Sequence, residues 1–475
     1  MTPRYGVPGL PGPAPRDMLA ALRRLRRDPV GWLREQDRRF GPVFALPTPG
    51  RPVVVVHDAA SVRRVLIERH RDYLKATPQY EGLARVTGEG LLAAEHATWR
   101  QRRTILAPAF APGRLPAVGE AAARAGRRWA GAVTPGADVD PTGPSARAAL
   151  EVLLDAIVAG PGAFDALDAG ELLPGRRAAD LADAVARASA ALLRQAASPF
   201  PPAWPGPARR RLRAATAELE RHVDALLATA SGAKVGGDAV LACLAEALRG
   251  GAIDDAGARA EIRTQLVAGH ETVAVALAWT LHLLASHPQQ QERVREDPSF
   301  ARPVLEEALR LHPPAWVITR RAARADELAG VTVPAGTLVI VAPAVLHSRS
   351  EVFADPDSFD PSRFVGERPG AVAAALSVAG AYLPFGAGPR QCLGRDAAFV
   401  QAGEVLSALL AGHVVVPGAH RPTPVPGVTL SPHGGTVRFL PRTPHEGRQP
   451  RNLCAGRGET AGGGPNQARH EGRRA

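Results

Sequence analysis

Apolar positions recur at three- and four-residue spacing over residues 17–40 and again over 59–74, which predicts helices there. Between them a valine-rich run at 52–57 predicts a strand. From 116 to 193, alanine-rich helical segments alternate with Gly/Pro breaks. The string SPFPPAWPGP at 198–207 is apolar but too rich in proline for a helix. Helical spacing returns at 208–229 and over a longer stretch, 255–286, which carries AGHET at its middle. Beyond Pro288 the pattern gives another helix, a PPAW turn and a strand-rich segment at 317–342. After Arg442 apolar positions almost vanish. Residues 443–475 therefore read as a disordered basic tail behind one folded domain, 1–442, that is mainly α with a small β-rich part.

Composition narrows the class. With 45% hydrophobic and 22% charged residues, the 475-residue chain can bury a large core. The net charge of +12 raises the question of nucleic acid. The arginines, however, are scattered instead of forming one block interleaved with aromatics, so no nucleic-acid binding is expected, and a basic face for an acidic protein partner fits better. Three cysteines, Cys243, Cys392 and Cys454, are too few for a disulfide framework and suit a reducing compartment. Residues 1–16 have no apolar signal core, and the greasy stretch 273–285 is interrupted by His282 and short for a bilayer. A soluble, cytoplasmic protein is expected, with contact at a membrane surface left open.

The chemistry clusters in four places. Phe385–Gly–Ala–Gly–Pro–Arg–Gln–Cys392–Leu–Gly394 surrounds a cysteine with glycines, the arrangement a thiolate metal ligand needs for a rigid loop whose amides approach the sulfur. Glu307 and Arg310 share a helix face and can form a bidentate ion pair. In Ala268–Gly269–His270–Glu271–Thr272, a glycine inside a helix costs about 1 kcal/mol relative to alanine and calls for a reason. A local widening that frees Thr272 to hydrogen-bond a ligand, with Glu271 relaying protons, is such a reason. In Trp99–Arg–Gln–Arg–Arg103, positions 99 and 103 lie one turn apart, with His96 nearly a turn earlier.

These motifs, in this order, resemble those of the cytochrome P450 family. The loop matches Phe-x-x-Gly-x-Arg-x-Cys-x-Gly at every fixed position, and Glu307-x-x-Arg310 with Arg363 resembles the family's structural ion network. The resemblance covers about residues 25–440. It implies the largely helical P450 fold with a small β-rich lobe, and haem b bound through its iron to Cys392. Phe385, Gly388, Arg390, Gly394, Ala268 and Gly269 would pack round the cofactor, Arg390 near the thiolate or a propionate. Trp99, Arg103, His96 and Arg320 (or Arg321) would hold propionates, and Glu271 and Thr272 would be the catalytic acid and alcohol. Electrons would come from a ferredoxin and its reductase to a monomeric enzyme. The strings YLKATPQYEGLARVTGEGLL, LVAGHETVAVALAW, EEALRLHPPAWVITRR and FGAGPRQCLGRD are similar to bacterial P450 β-carotene hydroxylases, which implies a lipophilic substrate, first a carotenoid hydroxylated on its β-ionone ring. Fatty acid, terpene and polyketide hydroxylation are the alternatives. A peroxide-driven enzyme or a haem sensor would not need the Glu271–Thr272 pair.

Overall fold

Residues 17–40 form two helices, Pro15–Arg27 and Pro29–Phe40, where the apolar spacing predicts one. Pro29 has no amide proton to continue the first ladder but suits the first turn of the second. Asp28 caps that second helix by accepting the Gly31 N–H at 2.8 Å. The coordinates are a computed structural model that describes residues 6–48, 50–171, 177–196, 204–231 and 238–442. The expected tail, Cys454 and residues 198–203 of the apolar loop lie outside them.

The valine run forms Val53–Val56, every residue buried. It runs antiparallel to Val43–Leu46 and parallel to Leu338–Val341, and the sheet continues through Ile318–Ala322 to Tyr73–Leu74. That last strand corrects the helical reading of 59–74. The α-helix covers only Ala59–Arg63 and passes into a wider π turn, Arg64–Glu68. Tyr73 and Leu74 then pair with Ala322 and Arg321, and the Tyr73 hydroxyl donates to Asp326 at 2.9 Å. Partners far along the chain override local spacing there.

The helical part packs Leu115–Ala132 on Arg395–Gly412 and Thr142–Val152 on Glu271–Ala285. Gly126 permits the first contact, since a Cβ there would lie 2.7 Å from the Ala408 Cβ. The long segment at 255–286 is two helices, Asp255–Gly269 and Glu271–Ala285, separated at His270. By length and apolarity it could span a membrane, but 67% of that window is buried inside the protein, so its apolar surface serves the core.

Helix Ala301–Leu311 carries the Glu307–Arg310 pair, both residues buried. Arg310 donates from Nε and Nη2 to the two Glu307 carboxylate oxygens at 2.7 and 2.8 Å. Its other N–H groups reach the carbonyls of His347, Pro356 and Ser358 at 3.0, 2.6 and 2.9 Å. Glu307 also accepts the Asp360 N–H at 2.9 Å, and Arg363 Nε stands 3.4 Å away as an ion-pair arm without a directed hydrogen bond. Burial pushes His347 down to about 3, so its ring is neutral. Nδ1–H donates to the Arg310 carbonyl at 3.3 Å, which leaves Nε2 to accept the Leu383 N–H at 2.7 Å. Removing Arg310 strands a buried carboxylate, a loss of about 3–5 kcal/mol. Arg310→Ala should therefore lower the urea-unfolding midpoint steeply, or prevent folding, while Arg363→Ala lowers it modestly. Equal losses would show that the 3.4 Å arm matters as much as the bidentate pair.

Candidate active site

The loop before helix Arg395–Gly412 is shaped by two left-handed glycines, Gly386 at φ +68 and Gly388 at φ +69. A Cβ on Gly388 would also fall 2.3 Å from the Leu66 carbonyl oxygen, so the π turn and this loop touch backbone to backbone. Gly394 has an ordinary φ of −87, and a Cβ there would stand 3.3 Å from the Phe110 ring. Cys392 N–H donates to the Phe385 carbonyl at 3.0 Å, and the Phe385 ring leans on Phe399 at 5.2 Å. Burial pushes the Cys392 thiol up, while the Gly394 amide and the Arg103 and Arg395 guanidiniums pull it down. The helix that starts just after Gly394 adds its positive end. The thiol is free and exposed at the surface of the loop.

Beside this loop is a knot of cations. Lys75 is buried, donates to the Leu92 carbonyl at 2.8 Å and sits 4.7 Å over the Tyr80 ring. Arg320 is buried too and donates to Tyr80 Oη at 3.2 Å. Arg390 donates to the Ala94 carbonyl at 2.6 Å and Glu95 Oε2 at 2.7 Å, with its guanidinium 4.4 Å from the Trp99 ring centre. It therefore belongs to this cluster. Arg103 lies 5.9 Å from the same ring and donates to the Gln391 carbonyl at 3.1 Å. Burial, then repulsion from Arg320 and Arg390, holds Lys75 well below the ordinary lysine range. Burial lowers Arg390 to about 10, partly offset by Glu95. Glu95 is the one carboxylate among the leading influences on both. Three mutually repelling cations round one acid suit a ligand that brings two carboxylates.

Arg321 points out of this cluster to Glu81 at 3.6 Å, so Arg320 is the member of the pair that joins it. His96 opens helix His96–Leu106 at φ +41, is exposed, and makes no hydrogen bond to the cluster among the described residues. Lys75, Tyr80 and Glu95 were not singled out by motif. One signal was available: Lys75 is one of two lysines among 58 basic residues. A compact ammonium kept where the chain otherwise uses arginine marks a special site.

At the helix break, His270 Nδ1–H donates to the Leu266 carbonyl at 2.7 Å and Thr272 Oγ1 to the Ala268 carbonyl at 2.8 Å. Two side chains thus occupy carbonyls that the interrupted ladder leaves open. The Thr272 hydroxyl is consequently engaged with the backbone, where the sequence reading has it free. Gly269 answers a packing need: a Cβ would lie 2.8 Å from Leu153 Cδ1. Ala268, Gly269, Glu271 and Thr272 are only half-buried in an otherwise buried run. The Glu271 carboxylate accepts from Ser189 at 3.2 Å and Thr429 at 3.0 Å. Burial holds His270 below the ordinary histidine value, hence neutral.

The chain belongs to the cytochrome P450 family, whose description matches residues 8–437. It is 29% identical over 421 residues to the cyclooctatin synthase of Streptomyces melanosporofaciens, covering 82% of this chain and 86% of that one. The cyclooctat-9-en-7-ol 5-monooxygenase of the same organism is 36% identical over 248 residues, 48% of this chain and 51% of its own, so the match spans about half of that relative. Among solved structures, CYP175A1 from Thermus thermophilus superposes with a TM-score of 0.74 at 30% identity, covering 90% of this chain and 98% of that one. The family's cofactor is haem iron, and the cysteine loop and cation cluster fit it.

Two outcomes follow. Lys75→Met, Arg320→Leu and Arg390→Leu should each lower haem content per protein, read from absorbance ratios, whereas His96→Ala leaves it unchanged. The second concerns the buried Glu261 beneath the 88–95 loop. It accepts the Leu91 N–H at 3.1 Å, stands 3.6 Å from Arg102 Nε, and is raised by burial to about 7. Because the folded value lies above the unfolded one, its contribution is complete below the ordinary carboxylate value and is lost as pH rises through about 7. The wild-type melting temperature should therefore decline over that window relative to Glu261→Gln. Parallel curves would remove Glu261 as the cause.

Proposed function

We propose that this protein is a monooxygenase that inserts one oxygen atom from O2 into an unactivated C–H bond of a lipophilic cyclic terpenoid. The observation that carries it is the cysteine held in the double-glycine turn beside the cation cluster. Haem, when bound, supplies oxygen activation at its iron, and the chain's residues do the rest. Cys392 would hold the haem iron through its sulfur, with Phe385 and Gly388 shaping its loop and the Gly394 amide directed at that sulfur. Lys75, Arg320 and Arg390, framed by Trp99 and Arg103, would hold the propionates. Thr272, whose proton goes to the Ala268 carbonyl, would offer its hydroxyl oxygen as an acceptor at the reaction site, and Glu271 would supply protons there.

The names of the two Streptomyces relatives support a cyclic alcohol or hydrocarbon as substrate. The four segments similar to carotene hydroxylases support a second reading, a carotenoid, itself a terpenoid. The +12 charge favours an acidic ferredoxin as donor, with turnover that falls as ionic strength rises. Trp204, 56% exposed beside the apolar loop, supports transient contact with a membrane surface by a cytoplasmic monomer.

The test is expression with a ferredoxin and reductase in a bacterial host that accumulates β-carotene, and in one supplied with cyclic terpene alcohols, with Cys392→Ala as control. Oxygenated products absent from the control fix the substrate class. A reduced protein lacking the CO spectrum of thiolate-bound haem would overturn the assignment. Thr272→Ala and Glu271→Gln should reduce product formation by about 10²-fold while electrons are diverted to peroxide. Thr272→Ser should retain most activity.

A further inference from the structure

Two hydroxyls from elements distant in sequence hold the Glu271 carboxylate. Ser189, on helix Ala178–Ala196, donates to Oε2, and Thr429 donates to Oε1. Thr429 lies in the turn of a hairpin formed by strands Thr423–Pro426 and Leu430–His433, and is buried. Its Oγ1 is also 3.0 Å from Ser431 Oγ. A hydroxyl has one proton to donate. With that of Thr429 given to Glu271, Ser431 must be the donor in the second bond, so donation runs from Ser431 to Thr429 to Glu271.

Ser431 and Glu271 both line a cleft of about 510 Å³ beside helices Thr142–Val152 and Ala178–Ala196. Alanine is the commonest residue in its walls, and exposed Asp183 and Ala186 lie at its rim, so water reaches it. The hairpin does not need the Thr429 hydroxyl for its own placement. Trp316 Nε1 donates to the Gly427 carbonyl at 3.1 Å, Trp279 Nε1 to the Leu430 carbonyl at 2.8 Å, and Leu430 N–H to the Pro314 carbonyl at 3.0 Å. Ser189 lines the same cleft, but no described group donates to it, whereas Thr429 accepts from Ser431.

We propose that Ser431 and Thr429 form a two-hydroxyl wire that reprotonates Glu271 from water in this cleft. A hydronium gives its proton to Ser431 Oγ, Ser431 passes its own to Thr429 Oγ1, and Thr429 passes its own to Glu271 Oε1. Both hydroxyls finish neutral, the carboxylate becomes a carboxylic acid, and water remains in the cleft. The two hydroxyl residues are positioning residues that act through Glu271, and the proposal rests on the reading of Glu271 as the proton-delivering acid.

The test uses the holoenzyme with ferredoxin, reductase and NADPH, without added hydrocarbon, and measures the share of consumed O2 released as peroxide instead of water, in H2O and D2O. Thr429→Val should raise that share by about threefold or more and alter the solvent isotope effect, and Thr429→Ser should restore both. Ser431→Ala should move both in the same direction, and Ser189→Ala should not. A double-mutant cycle of Thr429→Val with Glu271→Gln on the unfolding midpoint should be non-additive, reporting the bond apart from turnover. An additive cycle, or a normal Thr429→Val beside an impaired Glu271→Gln, overturns the wire and leaves the acid in place. Impairment by Ser189→Ala alone would move the entry to Ser189. If Glu271→Gln is also normal, it is the acid reading that fails.

Discussion

Arg310 has five N–H groups, and all five are committed: two to Glu307 and three to carbonyls from two later segments of the chain. A guanidinium this deep is tolerable only because no donor is left unmatched. The consequence travels. His347 is fixed by the Arg310 carbonyl and side chain, its neutral ring accepts from Leu383, and the Leu383 carbonyl accepts from Gly386, the first left-handed glycine of the cysteine loop. The ion pair, which touches no reacting atom, sets where the sulfur can be.

The site joins parts that no single element could supply. The five-stranded sheet brings Arg320 in from one strand and Lys75 from the end of another, while the helix after Glu95 presents Trp99 and Arg103. Gly388 lets the cysteine loop press against the π turn that precedes Lys75. The wide turn, the missing Cβ and the buried ammonium are thus one packing solution. The hairpin at 423–433 does the same for the central helix, joining Trp279, Trp316 and Glu271.

What was legible in the sequence was local. Gly386, Gly388 and Cys392 lie within seven residues, and their spacing alone describes a thiolate loop. The valine strand and the Glu307–Arg310 face are equally short-range. What escaped was set by distant partners: Tyr73–Leu74 becomes strand because Arg321 and Ala322 pair with it, and Pro29 divides a helix whose apolar spacing runs on unbroken. The break at His270 was half legible. Gly269 announced a disturbance, and the structure adds that its missing Cβ leaves room for the Leu153 side chain while the Thr272 hydroxyl donates to a carbonyl that the break itself exposes. Lys75 was in view, but its importance lies in its neighbours, which no periodicity reports.

The cation cluster has a consequence for biogenesis. Lys75 is made early and Arg390 late, and the fold then forces them together in a space nearly dry, with Glu95 as the one strong counter-charge. Were haem's two propionates to supply the remaining counter-charge, capture of the cofactor would favour closure of the sheet onto the cysteine loop. Chains made faster than porphyrin arrives would wait with that lobe ajar, exposed to proteases. The yield of this protein in a foreign host would then follow the host's haem supply before it follows the strength of the promoter.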